Sequence, residues 1–143
     1  MREYTQILTD VQQTINEMKR LSTDYMDDIR PFCVLNFLQF FYYLKNLPFI
    51  PDPAGEEYVN RPGITLAPGA KHRDCDCKAT ALKAYCNYFN IPARFVASSS
   101  RASGELHHVY IDVYVNGNWR PCDATYPENN ILWERPYTRK EIF

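Results

Sequence analysis

The dipeptide Asn116-Gly117 separates two stretches of alternating residues, 106–115 and 119–125. Asn-Gly is the strongest short-range signal for a two-residue type I′ turn, because both turn positions need φ > 0. With those residues in the turn, Val115 pairs with Asn118, Ile111 with Cys122, Tyr110 with Asp123 and His108 with Thr125. Side chains alternate between faces with a period of two. His108, Tyr110, Asp112 and Tyr114 therefore share a face with Trp119, Pro121, Asp123 and Thr125. Val109, Ile111, Val113 and Cys122 occupy the other face with His107, and that face is the apolar one. Asp123 is the diagonal neighbour of His108, roughly 7–8 Å away at the backbone and within reach of an imidazole. His107 cannot meet the same carboxylate. A carboxylate on an imidazole fixes its tautomer and stabilises its cation. A polar pair on a half-exposed sheet would look the same, so a thiol reaching the same imidazole is what separates the two readings.

Cys75 is the candidate thiol. Cys75, Ala79, Leu82, Cys86 and Phe89 form one stripe at helical spacing. Asp74 is a suitable N-cap, and Asn90 and Pro92 end the pattern. A thiol in the first turn of a helix meets free N–H groups and the positive end of the dipole, which lower its pKa. His108 could hold it as a thiolate–imidazolium pair, and the same N–H groups could receive an oxyanion. Asp74 and Asp76 oppose this, because nearby negative charge raises a thiol pKa.

There are five cysteines, an odd number, which argues against a disulfide framework. A zinc site is disfavoured by spacing. Paired C-x₂-C knuckles are absent, and Cys86 lies about 16 Å along the helix from Cys75. Cys122 faces away from His108, and Cys77 does not share the Cys75 face. Cys33, Cys77, Cys86 and Cys122 read as small buried hydrophobes.

The 143 residues suit a single domain (1–143). Residues 1–46 are helical in pattern, 47–73 form a Pro-rich loop, 74–126 form the helix-and-strand core, and 127–143 are a tail. Ile7, Val11, Ile15, Met18 and Leu21 predict a helix over roughly 3–21. Pro31 suits the first turn of a second helix over 31–46, apolar nearly all round and so central. Its aromatic cluster reads as core packing. The loop 47–73 is either a wall of a substrate cleft or a Pro-pinned wrap over the core. Residues 93–97 read as a strand, and 139–142 as a last turn. A net charge of −1 is too acidic for a chain that neutralises phosphates, so nucleic acid is not an expected partner. No apolar run approaches the ~20 residues of a membrane span. The start Met1–Gln6 carries no apolar secretory stretch, so the expected location is cytoplasmic.

Four segments then stand in a recognisable order. They are Asp74-Cys75-Asp76-Cys77-Lys78-Ala79, Asn90–Val96, His108–Val115 and Trp119–Thr125. This resembles the transglutaminase-like core, a branch of the papain-like cysteine hydrolase fold. The run from Pro51 to Leu66 resembles small bacterial and phage-borne members. The resemblance implies an α+β fold, with the nucleophile helix packed on a small antiparallel sheet and N-terminal helices completing the core. It also implies a Cys-His-Asp triad at Cys75, His108 and Asp123, without metal or organic cofactor. Two positions depart from the family pattern: Cys77 replaces an acid, and Arg73 stands where small residues are usual. The family's upstream oxyanion side chain is not identifiable in this sequence, and Gln39, Tyr58, Asn60 and His72 are the candidates for it. Calcium would need an acidic cluster, and none is evident. The expected activity is that of a protease or amidase on a peptide or protein substrate, with transamidation less favoured. The alternatives are a catalytically silent binding domain and a structural part of an assembly such as a phage particle.

Overall fold

The computed structural model describes residues 4–6 and 10–143. Its elements are β1 (Tyr4–Gln6), α1 (Val11–Asp24), a 3-10 helix (Met26–Phe32), α2 (Phe37–Lys45), β2 (Tyr58–Asn60), α3 (Pro62–Thr65), α4 (Cys75–Tyr88), β3 (Ala93–Ser99), β4 (His108–Val115), β5 (Asn118–Cys122) and β6 (Arg139–Ile142). This is the expected α+β architecture. Four antiparallel strands in the order β5-β4-β3-β6 form the sheet, and β1 pairs with β2 separately.

α4 is the central element. Ten of its fourteen residues are buried, so it lacks a solvent face to mark with charge. It packs on β3 and β4 on one side, and on α1, α2, α3 and the 3-10 helix elsewhere. Its start is set by Asp74, whose carboxylate accepts from the Cys77 N–H. Its end is set by Asn90, in the left-handed region at φ 57.

The hairpin has the expected register. Val115 pairs with Asn118, Tyr114 with Trp119 and Ile111 with Cys122. Asn116 (φ 52) and Gly117 (φ 80) occupy the positive-φ turn positions. The apolar face carries Val109, Ile111 and Val113 into the core beside Phe95 and Ala97. Ladder pairing ends at Cys122, so the expected pairs beyond it are not formed.

Other boundaries differ from the sequence reading. The helix expected over 3–21 begins only at Val11, because Asp10 caps it by accepting from Gln13 N–H. Tyr4–Gln6 is instead a strand paired with Tyr58–Asn60, and Ile7 lies outside the described residues. The helix expected over 31–46 is two pieces. Pro31 sits late in the 3-10 helix, and Asn36 starts α2 with a capping box to Gln39. α2 is amphipathic rather than apolar all round: Phe40, Phe41 and Leu44 are buried, while Leu38, Tyr42 and Tyr43 are exposed. Its aromatic residues are core packing on the buried side, where Phe40 stacks on Tyr85 with centroids 4.7 Å apart. Cys33 is exposed, not buried. The expected last turn at 139–142 is strand β6, which adds an edge to β3.

Arg73 is buried and has a structural explanation. Its guanidinium donates to the carbonyls of Thr65, Ala67 and Pro48, and its backbone bridges Ile50. It pins the Pro-rich segment just upstream of α4. A small residue there would remove the guanidinium donors from all three carbonyls, of which only Ala67 keeps a backbone donor, the Ala70 N–H at 3.3 Å, among the described bonds.

Gly117→Val should lower stability by roughly 1–2 kcal/mol, the cost of holding an L-residue in the left-handed region. A Cβ there meets nothing within 4 Å, so the cost is backbone strain alone. Urea denaturation should show a lower midpoint with an unchanged slope; an unchanged midpoint contradicts this account of the turn.

Candidate active site

β4 begins at His108 and β5 ends at Cys122, so His108 and Asp123 meet where the hairpin opens. The diagonal contact is made: His108 Nε2 lies 2.6 Å from Asp123 Oδ2. This is no surface pair, since the residues are 3% and 2% exposed. Asp123 Oδ1 accepts from the Thr125 N–H at 3.1 Å and the Thr125 hydroxyl at 2.5 Å. Burial pushes the Asp123 pKa up, but His108 and Thr125 outweigh it and hold the carboxyl below its ordinary value. An ionised carboxylate can only accept, so His108 Nε2 carries the proton and donates. His107 points elsewhere, and its Nε2 accepts from the Ser100 N–H.

The polar face of the sheet is buried at its His108 end, where the tail folds over it, while Tyr114 and Trp119 at the turn end stay exposed. Tyr110 Oη donates to Glu134, and Asn129 Nδ2 donates to the Asp123 carbonyl at 3.1 Å. Tyr126, Asn129, Trp133 and Arg135 line a cavity whose wall is completed by His108 and Asp123. No periodicity marks residues 126–135 as part of a site, and the sequence reading missed them.

Cys75 and His108 line a second cavity of about 360 Å³, together with Asp10, Glu57, Asp74, Asp76, Glu105 and Val109. The structure thus brings Cys75, His108 and Asp123 to one place. With Nε2 committed to Asp123, Nδ1 is the ring nitrogen left for a thiol. The Val109 N–H donates to the Cys75 sulfur, and the thiol donates to Asp76 Oδ1 at 3.5 Å. Cys77 is buried and directed at the Tyr58 carbonyl.

The electrostatics run against the sequence expectation of a depressed thiol pKa. Burial, followed by Asp76 and Asp74, pushes the Cys75 pKa well above its ordinary value. Those acids are themselves perturbed. Burial, then a hydrogen bond with Glu57, raises Asp76 well above the carboxyl range. Burial, then neighbouring Asp52, pushes Asp74 up to about 8.

The absence of an acidic cluster is also corrected. Asp52, Glu57 and Asp74 bring carboxylate oxygens within 4.8 Å of one another. Asp52 and Glu57 lie in one loop and Asp74 at the start of α4, so no local motif brings all three together. The four upstream oxyanion candidates do not line the Cys75 cavity. Gln39 caps α2, Asn60 Nδ2 donates to the His72 carbonyl, and Tyr58 stacks on His72 at 4.4 Å. The oxyanion donors that the first turn of α4 offers are the N–H groups of Cys75 and Asp76, which have no partner within the helix, since the Cys77 N–H is taken by Asp74.

A family model described as the transglutaminase-like superfamily matches residues 39–124. Among solved structures, the chain resembles a candidate cysteine protease from Cytophaga hutchinsonii, with 14% identity and a TM-score of 0.49. The likeness covers 98% of this chain and spans 62% of that chain's length. No curated protein matches the sequence.

The raised Asp74 and Asp76 pKa values set a pH dependence. An acid whose folded pKa lies above its unfolded value stabilises the fold when protonated, and that stability is lost as pH rises through the folded pKa. For Asp74 the window runs from about 3.8 to about 8. The melting temperature should therefore rise on acidification from pH 8 to pH ~6.5, and Asp74→Asn should flatten the slope. A flat wild-type profile, or the same slope in the variant, contradicts the assignment.

Proposed function

This chain belongs to the transglutaminase-like superfamily, and we propose that it is a cysteine-nucleophile hydrolase acting on amide bonds through Cys75, His108 and Asp123. One observation carries the reading: the buried His108–Asp123 hydrogen bond of 2.6 Å, with its imidazole on the wall of the cavity that holds Cys75. The Cys75 proton passes to His108 Nδ1, and the thiolate attacks the carbonyl carbon. N–H groups of the first turn of α4 receive the oxyanion. His108 then protonates the leaving amine as the C–N bond breaks, giving an acyl-enzyme. Water, losing a proton to His108, releases the acid and restores the thiol. The favoured reaction is hydrolysis, as in a protease or amidase; an amine in place of water gives transamidation.

The cavity supports a preference for cationic substrates. Asp10, Glu57 and Glu105 line it beside Asp74 and Asp76, whose raised pKa values leave them less of the charge, with no lysine or arginine among the described lining residues. Glu105 is partly compensated by Arg101 at 3.2 Å. A basic group beside the scissile amide would be drawn to these acids and would offset their effect on the thiol.

The raised Cys75 pKa favours a second reading, a binding domain that keeps the fold without the chemistry. Mass spectrometry of iodoacetamide labelling separates the two, with exposed Cys33 as the internal standard. An enzyme should label Cys75 faster than Cys33, and His108→Ala should slow Cys75 by roughly tenfold or more. The binding reading gives a slow Cys75 with no response to His108→Ala. A trimethylammonium thiosulfonate should also modify Cys75 faster than a sulfonate-bearing one, by roughly tenfold at low salt. Equal rates would remove the cationic preference while leaving the nucleophile standing.

A further inference from the structure

We propose that Lys78 is a positioning residue, whose buried ammonium ties the nucleophile helix to the loop that holds Asp123. The inference rests on the roles given above to Cys75, His108 and Asp123. Lys78 lies one turn after Cys75 on α4 and is 0% exposed. Its Nζ donates to the carbonyls of Thr125 at 2.8 Å, Leu47 at 2.8 Å and Lys45 at 3.2 Å. An ammonium has three donors, and all three are used.

The first of these bonds continues into the site. The Thr125 N–H and hydroxyl hold Asp123 Oδ1, and Asp123 Oδ2 holds His108. A line of hydrogen bonds, carried through the Thr125 residue itself, therefore runs from α4 to the imidazole. A second tie runs in parallel. Lys45 Nζ donates to the Asn129 carbonyl at 2.7 Å, and Asn129 Nδ2 donates to the Asp123 carbonyl. The loop after β5 has no strand partner, and these two ammonium groups fix it against α2 and α4.

A simple structural filler would not look like this. Lys78 makes no ion pair with a carboxylate among the described residues; it is held by carbonyls alone. Burial and Arg73 work against its charge, while Asp123 and Glu128 favour it, and its pKa falls to about 8. An apolar side chain of the same length would avoid that cost. It would also release the Thr125 carbonyl and the loop beneath Asp123.

The test is the rate of Cys75 alkylation at neutral pH in Lys78→Met, Asp123→Asn and the double variant, with His108→Ala as reference. Lys78→Met should slow Cys75 roughly tenfold, and the double variant should be no slower than Asp123→Asn alone. Additive losses mean that Lys78 does not act through Asp123, and a wild-type rate in Lys78→Met means that it positions nothing; either result overturns the proposal. Should Lys78→Met not fold, Lys78→Gln takes its place, since an amide cannot supply the three donors that the Thr125, Leu47 and Lys45 carbonyls use. A slowed Cys75 that is non-additive with Asp123→Asn supports the tie, and a wild-type rate breaks it. If His108→Ala alone leaves Cys75 unchanged, the catalytic reading itself has failed, which is a distinct result.

Discussion

The hydrogen bond between His108 and Asp123 is the constraint on which the site depends. A carboxylate this deeply buried is costly unless its oxygens are all engaged. Here Oδ1 takes both donors of Thr125 and Oδ2 takes the imidazole. The Asn-Gly turn sets the register that brings the two residues to one end of the hairpin. The tail then closes over them, and Asn129 holds the Asp123 backbone. The result is an imidazole of fixed tautomer on the wall of the cavity that contains Cys75.

Around Cys75 the charges compete. The first turn of α4 offers N–H groups and a dipole, yet the thiol is pushed up by burial and by Asp76 and Asp74. The acids are less hostile than their formal charge suggests. Asp74 shares a hydrogen bond with Asp52 and Asp76 with Glu57, and both Asp74 and Asp76 have raised pKa values. A protonated carboxyl exerts no monopole repulsion on a thiolate. In the proposed mechanism His108 or a cationic substrate tips the proton balance at Cys75.

The hairpin and α4 were legible in the sequence because their signals are local. Asn116-Gly117 dictates a turn geometry, and Asp74 with Pro92 brackets a helix. From these alone, His108 and Asp123 could be placed on one face. The N-terminal boundaries were not legible, because helical periodicity continues through residues that pair as a strand with Tyr58–Asn60. α2 looked apolar all round because aromatic residues lie on both its buried and exposed faces. The acidic cluster brings Asp74 to Asp52, 22 positions away (74 − 52), and Lys78 reaches Thr125, 47 positions away. Composition and spacing carry no trace of such contacts. Residues 127–138 had no pattern to read, because they cover the His108 end of the sheet with irregular backbone before β6 joins its edge.

The most direct test of the account is intact-mass spectrometry of the protein mixed with activated acyl esters and basic peptide amides, quenched within the first turnover. The account predicts one acyl group per chain, mapped by peptide analysis to Cys75, lost in Cys75→Ser and formed slowly in His108→Ala. No adduct, or an adduct confined to exposed Cys33, would contradict it.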